Sequence, residues 1–151
     1  MGRTVWLVEQ LPGQSSQIKL AGSQTDANGM VQLSTPPISR DVRLRLVAGH
    51  GVRSAPVHIA VIPTVSANVV VAGWSYLVAV TASGTQPGDF VVLEKRTAAG
   101  WMPIASLPLD AAGAAHFSLS PPAKGSNHYR LLLPSTPGHA GAVARFVVPL
   151  P

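Results

Sequence analysis

The sequence predicts an all-β protein made of two related sandwich domains in tandem. Three observations carry this. The first is an internal repeat. Thr4 to Leu33 and Phe90 to Leu119 follow one plan: two paired strands, an Asp-x-x-Gly turn and a third strand. Val5 and Leu7 match Val91 and Leu93 at an offset of 86, and Asp26-x-x-Gly29 matches Asp110-x-x-Gly113 at 84. Pro36-Pro37 matches Pro121-Pro122 at 85, and Val61-Ile62-Pro63 matches Val147-Val148-Pro149 at 86. The drift falls in loops, where insertions are tolerated. The period exceeds a solenoid unit of roughly 20–50 residues and suits a whole small domain. The second observation is punctuation: Gly and Pro number 14 each, too frequent for long helices. The third is alternation of apolar and polar residues in short runs, the period of a half-buried strand.

Residues 4–10 form the first expected strand, with Val5 and Leu7 inward and Trp6, Val8 and Gln10 outward. Pro12-Gly13 turns the chain, and a short strand follows over Gln17–Ala21. In Thr25–Gly29, Asp26 can cap its own backbone and Gly29 permits positive φ. Strands are expected at Met30–Ser34, at Asp41–Val47 and, after a hairpin-like Gly49-His50-Gly51 connection, at Ala55–Ile62. Pro63 marks the boundary, because proline fixes φ and holds the preceding residue extended. The domains are therefore 1–62 and 63–151.

The second domain is expected to hold strands at Thr64–Val71, Ser75–Ser83, Phe90–Arg96, Met102–Leu107, Ala115–Leu119, His128–Leu133 and Ala142–Val148, with a loop at Pro121–Gly125. Seven strands is the count of a constant-type immunoglobulin sandwich. The first domain has five, lacking counterparts of Thr64–Val71 and Ser75–Ser83. The expected fold is thus two tandem immunoglobulin-like β-sandwiches, the first without its first two strands. Such a sandwich leaves strand edges and an apolar face uncovered. Four readings stand open: the chain is a fragment, its start is set too late, a partner donates a strand, or the five strands pack on the second domain.

Composition narrows the function classes. Hydrophobic residues make up 46% and mean hydropathy is +0.29, enough for a core. Net charge is +5, mostly from scattered arginines. Arg43 and Arg45 share one face of a strand whose other face is Val42, Leu44 and Leu46, the pattern of a half-solvated strand. Nucleic-acid binding needs a continuous basic patch with stacking aromatics or a groove-reading element, and the sequence displays neither. The absence of cysteine rules out disulfides and thiolate metal sites. No signal peptide is visible, because the apolar run Val5–Val8 is too short for an h-region. No apolar run is long enough for a membrane-spanning helix.

A family resemblance adds to this. Val91-Val92-Leu93-Glu94-Lys95-Arg96, then Gly100-Trp101, Ile104, Asp110-x-x-Gly113 and Phe117, resembles the tandem immunoglobulin-like repeats of bacterial secreted and cell-surface proteins. Tyr129-Arg130-Leu131 and Ala142–Val148 fit the last two strands of that pattern. The resemblance covers Thr64–Pro149 fully and Thr4–Pro63 partly. In the first repeat Ser15 stands where Trp101 stands, and Met30 or Val31 replaces the aromatic. The resemblance implies an exported or surface protein whose modules space, present or brace other domains of a longer polypeptide. It transfers no catalytic residue and no cofactor.

The residues themselves say little for an enzyme. The six carboxylates are Glu9, Asp26, Asp41, Asp89, Glu94 and Asp110, and three of them sit in turns. No nucleophile elbow, zinc-protease helix or phosphate loop is present. His116 and His128 lie on strands expected to be neighbours, where a third ligand would complete a metal site; solvent-facing histidines are the plainer reading. Tyr129 is placed to tie its hydroxyl to upstream backbone, a structural role. Trp6, outward on its strand, and Trp74, just after a turn, are the candidate contacts for a glycan, cell wall or apolar partner. Trp101 is expected to pack over its own sheet. The leading reading is a non-catalytic spacer or adhesion module. A carbohydrate-binding module and an accessory domain of a secreted enzyme are the alternatives.

Overall fold

Runs rich in Val, Leu and Ala with period-two alternation, bounded by Gly, Pro and Asp, fold into antiparallel strands. The computed structural model describes residues 2–120 and 127–149; the expected loop at Pro121–Gly125 lies outside the described residues. The described residues contain no α-helix and form three antiparallel sheets, an arrangement compatible with a β-sandwich. The chain divides into two compact units, Met1–Val61 and Ile62–Pro151.

Unit 1 holds β1 (Thr4–Gln10), β2 (Ile18–Gln24), β3 (Val42–Ala48) and β4 (Val57–Ile59), in the sheet order β2-β1-β3-β4. Unit 2 holds β5 (Thr64–Ala72), β6 (Ser75–Ser83), β7 (Phe90–Thr97), β8 (Gly100–Pro108), β9 (Ala114–Leu119), β10 (His128–Leu133) and β11 (Ala142–Val147). Its sheets run β11-β10-β7-β8 and β5-β6-β9. Between them lies one apolar core. Tyr76, Val78 and Val80 come from β6 and Phe117 from β9; Val91 and Leu93 come from β7, Tyr129, Leu131 and Leu133 from β10.

The repeat is visible bond by bond. Sheet β2-β1-β3-β4 has the same order as β8-β7-β10-β11, strand for strand. β1 and β7 both lose register against the next strand, at Leu7/Val8 and Leu93/Glu94. The two Asp turns also match. Asp26 Oδ1 accepts from the Asn28 and Met30 amides, and Asp110 Oδ1 from those of Ala112 and Ala114, every bond at 2.8 Å. Gly29 and Gly113 follow at φ +78° and +75°, where a side chain is disfavoured.

The expected strand at Met30–Ser34 does not form. Its counterpart β9 is held by β6 alone, and unit 1 has no described counterpart of β6. The segment has no ladder neighbour among the described residues, and its first residue, Met30, uses its amide and carbonyl within the Asp26 turn instead. Unit 1 therefore has four strands rather than five. The strand expected over Ala55–Ile62 shrinks to Val57–Ile59, flanked by Pro56 and Pro63. Val5 and Leu7 are buried as expected, but so is Val8. It stands directly opposite Lys19 and Arg45 and shares a face with those two long side chains. The turn register also sets Leu33 beside Phe117 in the repeat, in place of Met30 or Val31.

Candidate functional site

Trp6 and Trp74 lie in different units. Trp6 is 38% exposed on β1. Its ring packs against the Gly22 backbone, which leaves no room for a Cβ there, and the Lys19 ammonium sits 4.5 Å from the ring centroid. Trp74 is at the tip of the β5–β6 hairpin, after Gly73, and is 93% exposed. His116 and His128 are not neighbours: β9 and β10 belong to different sheets, because β9 pairs with β6 and β10 with β7 and β11. The described residues contain no cluster of three metal-ligating side chains. A hydroxyl tie to backbone is made by Tyr76, which donates to the Pro149 carbonyl at 2.8 Å. Tyr129 stacks on Phe146 with centroids 5.7 Å apart, and burial raises its phenol pKa.

Each carboxylate has a local duty. Asp26 and Asp110 close the two turns. Asp41 accepts from the Val61 amide at 2.6 Å, and Glu9 meets Arg40 at 3.2 Å. Asp89 accepts from the Gln86 amide and from His139. Glu94, buried, binds Arg130.

One surface groove was not singled out by the sequence. It holds about 480 Å³ and is lined by Arg96, Trp101, His128, Tyr129, Arg145, Phe146 and Val147. Cross-strand register explains how these meet. Arg96 stands opposite Trp101 between β7 and β8, and Glu94 opposite Arg130 between β7 and β10. Arg145 is opposite Arg130, and Val147 opposite His128, between β10 and β11. Directly opposed residues share a face, so Arg96, Trp101, Glu94, Arg130, Arg145, His128 and Val147 project from the outer side of the sheet, while Tyr129 and Phe146 turn their rings to the core side with Leu93 and Leu131. Arg96 Cζ lies 5.5 Å and Arg130 Cζ 4.8 Å from the Trp101 ring centroid, both within cation–π range. Trp101 thus packs over its own sheet, as expected, and does so under two guanidinium groups.

The signal for this cluster was present but dispersed. Arg96 and Trp101 are linked by a two-residue hairpin turn, whereas Arg130 and Arg145 come from strands far along the chain. The register also corrects one alignment: continuing the β1–β2 pairing sets Gln17, rather than Ser15, at the position of Trp101. No helix among the described residues is long and apolar enough to cross a membrane. A scan of protein-family models finds no match to the chain, and a search of curated proteins finds no relative.

Proposed function

We propose that this chain is a non-catalytic structural or adhesion module of an exported bacterial protein, built on tandem immunoglobulin-like sandwiches. The observation that carries the reading is duplication at the level of backbone bonds. Two sheets of identical order share a register shift and an Asp turn at corresponding places. Module duplication of this kind is how proteins build length and spacing, each unit folding on its own core. The carboxylates support the same reading, since each is engaged in holding a turn, a loop or a strand pair. The partners are then other domains of a longer polypeptide or a surface protein.

The test is where the protein resides. Intact producing cells would be treated with a protease that does not enter them, and the chain followed by antibody in cells and medium. Loss of the cell-associated chain, or its recovery from the medium, supports the reading. A chain fully protected until the cells are lysed would sink it.

A further inference from the structure

We propose that the outer face of the β8-β7-β10-β11 sheet binds the carboxylate groups of an acidic glycan, with Arg96 and Arg145 as its ion partners. The inference goes beyond the structural role and does not depend on it.

Charge is the first argument. Unit 2 contains three carboxylate side chains, Asp89, Glu94 and Asp110. Glu94 is engaged by Arg130, Asp89 by His139, and Asp110 by its own turn. Arg96 and Arg145 are exposed, and no side-chain carboxylate of the unit remains to pair with either. Arg145 moreover stands directly opposite Arg130. Like charges facing each other across a ladder weaken the sheet. Glu94 offsets the charge of Arg130, which leaves Arg145 as the cation of this pair open to an anion from outside.

The repeat supplies the second argument, as an internal control. The sheet of unit 1 has the same order and the same register shift, yet holds Gln10 and Gln17 at the positions of Arg96 and Trp101. That sheet keeps Arg45 at the position of Arg130 but forms without the Arg96–Trp101 pair, so the strand order does not require that pair.

The third argument concerns the ligand. A neutral sugar recognised by stacking needs a bare aromatic face, and the Trp101 ring is shared by two guanidinium groups. Of the two, Arg130 is engaged by Glu94, whereas the Arg96 guanidinium, held over the ring, presents forked N–H donors that match a carboxylate. Val147, on the same outer face as Arg145, gives the groove an apolar side that suits the C–H face of a pyranose ring. The groove runs across all four strands, from Trp101 on β8 to Arg145 and Val147 on β11, and the two strands in its middle, β7 and β10, have their backbone groups paired on both sides. An extended acidic peptide, which docks by adding a strand to an edge, would lie along β11 or β8 rather than across the middle of the groove. A volume near 480 Å³ lies within the range of small-ligand sites, roughly 300–1,000 Å³.

The test is calorimetric titration of the whole chain at low salt with a tetramer of galacturonic acid and with its carboxyl-reduced, neutral counterpart. Saturable binding of the acidic tetramer alone, weakening as salt rises, is expected. Arg96→Gln and Arg145→Gln should each weaken it roughly tenfold, the loss of one charge-assisted contact. Arg145→Lys should recover part of the affinity, because it keeps the charge but not the fork. Trp74→Ala should bind as the unaltered chain does. The glutamine variants lie on the surface, and their unfolding midpoints would verify that each is folded. Four results would overturn the proposal: no saturation up to millimolar tetramer, equal binding of the neutral tetramer, affinity indifferent to both glutamine variants, or tighter binding of an oligoglutamate peptide or a phosphate polymer of matched charge.

Discussion

His139 and Asp89 are joined by a 2.8 Å bond, Nε2 to Oδ2, between residues 50 positions apart. The imidazole is 1% exposed, and its Nδ1 lies 2.7 Å from the Ala140 carbonyl. The same Asp89 Oδ2 accepts from the Gln86 amide at 2.6 Å. The pair therefore clasps the loop before β7 to the loop between β10 and β11. His139→Ala should lower unfolding free energy by about 2–4 kcal/mol, from the cavity and the stranded carboxylate. Urea unfolding measures this, and a change below about 0.5 kcal/mol, the size of an ordinary surface substitution, would show the clasp to be ornamental.

Glu94 and Arg130 form the second buried linkage. The Glu94 side chain is 7% exposed and lies beside the half-buried Arg130 guanidinium. Arg130→Met would leave that carboxylate buried and alone, a loss of about 3–5 kcal/mol. The double variant Glu94→Met/Arg130→Met should recover most of it, since an apolar pair of similar volume is often neutral. A double variant no more stable than Arg130→Met would contradict this account.

The two turn glycines should respond unequally to one substitution. Both occupy the left-handed region, so alanine costs each backbone strain of about 1 kcal/mol. At Gly29 an added Cβ meets nothing within 4 Å. At Gly113 it collides with the Ala82 backbone carbonyl on β6. The Gly113 carbonyl also accepts from the Ala82 amide, so the turn cannot move away freely. Gly113→Ala should destabilise unit 2 by at least about 2 kcal/mol more than Gly29→Ala destabilises unit 1. Equal losses in thermal unfolding would refute the asymmetry.

Asp110 gives the acid response a definite sign. Amides of Ala114 and Ala112 donate to its carboxylate and hold its pKa below the ordinary 3.8. A carboxyl with a lower value when folded stabilises the fold above its unfolded value. That contribution fades as pH falls through the folded value. Hydrogen exchange at the Ala112 and Ala114 amides should accelerate, relative to neighbouring amides, only once pH drops below about 3.8. Asp110→Asn should remove that step, and an unchanged step would assign it elsewhere.

Local chemistry made most of unit 2 legible. Alternation placed β5 to β11 because each of these strands turns apolar residues of one phase to a shared core, β8 only through Leu107. The Asp turns were legible because their hydrogen bonds stay within five residues. Met30–Ser34 misled, because its alternation is that of a strand while its ladder partner is not there to pair with it. Val8 misled because burial on an outer face depends on long neighbours, Lys19 and Arg45, that alternation does not see. The groove was hidden for the same reason. Arg96, Trp101, Arg130 and Arg145 become one surface only when the register across β8, β7, β10 and β11 is known.

The order of the strands also sets the pace of folding. β5 with β6, and β7 with β8, are joined by tight turns and close as hairpins, events of about 1–10 μs. The pairings that assemble them are distant: Leu93 meets Leu131 across 38 positions, and Ala79 meets His116 across 37. Loop-closure entropy has to be met before those contacts give anything back. Unit 2 should therefore refold in roughly milliseconds to seconds, as all-β sandwiches do. Its rate-limiting event is then the meeting of preformed hairpins, with the β7–β10 and β6–β9 ladders sealing last.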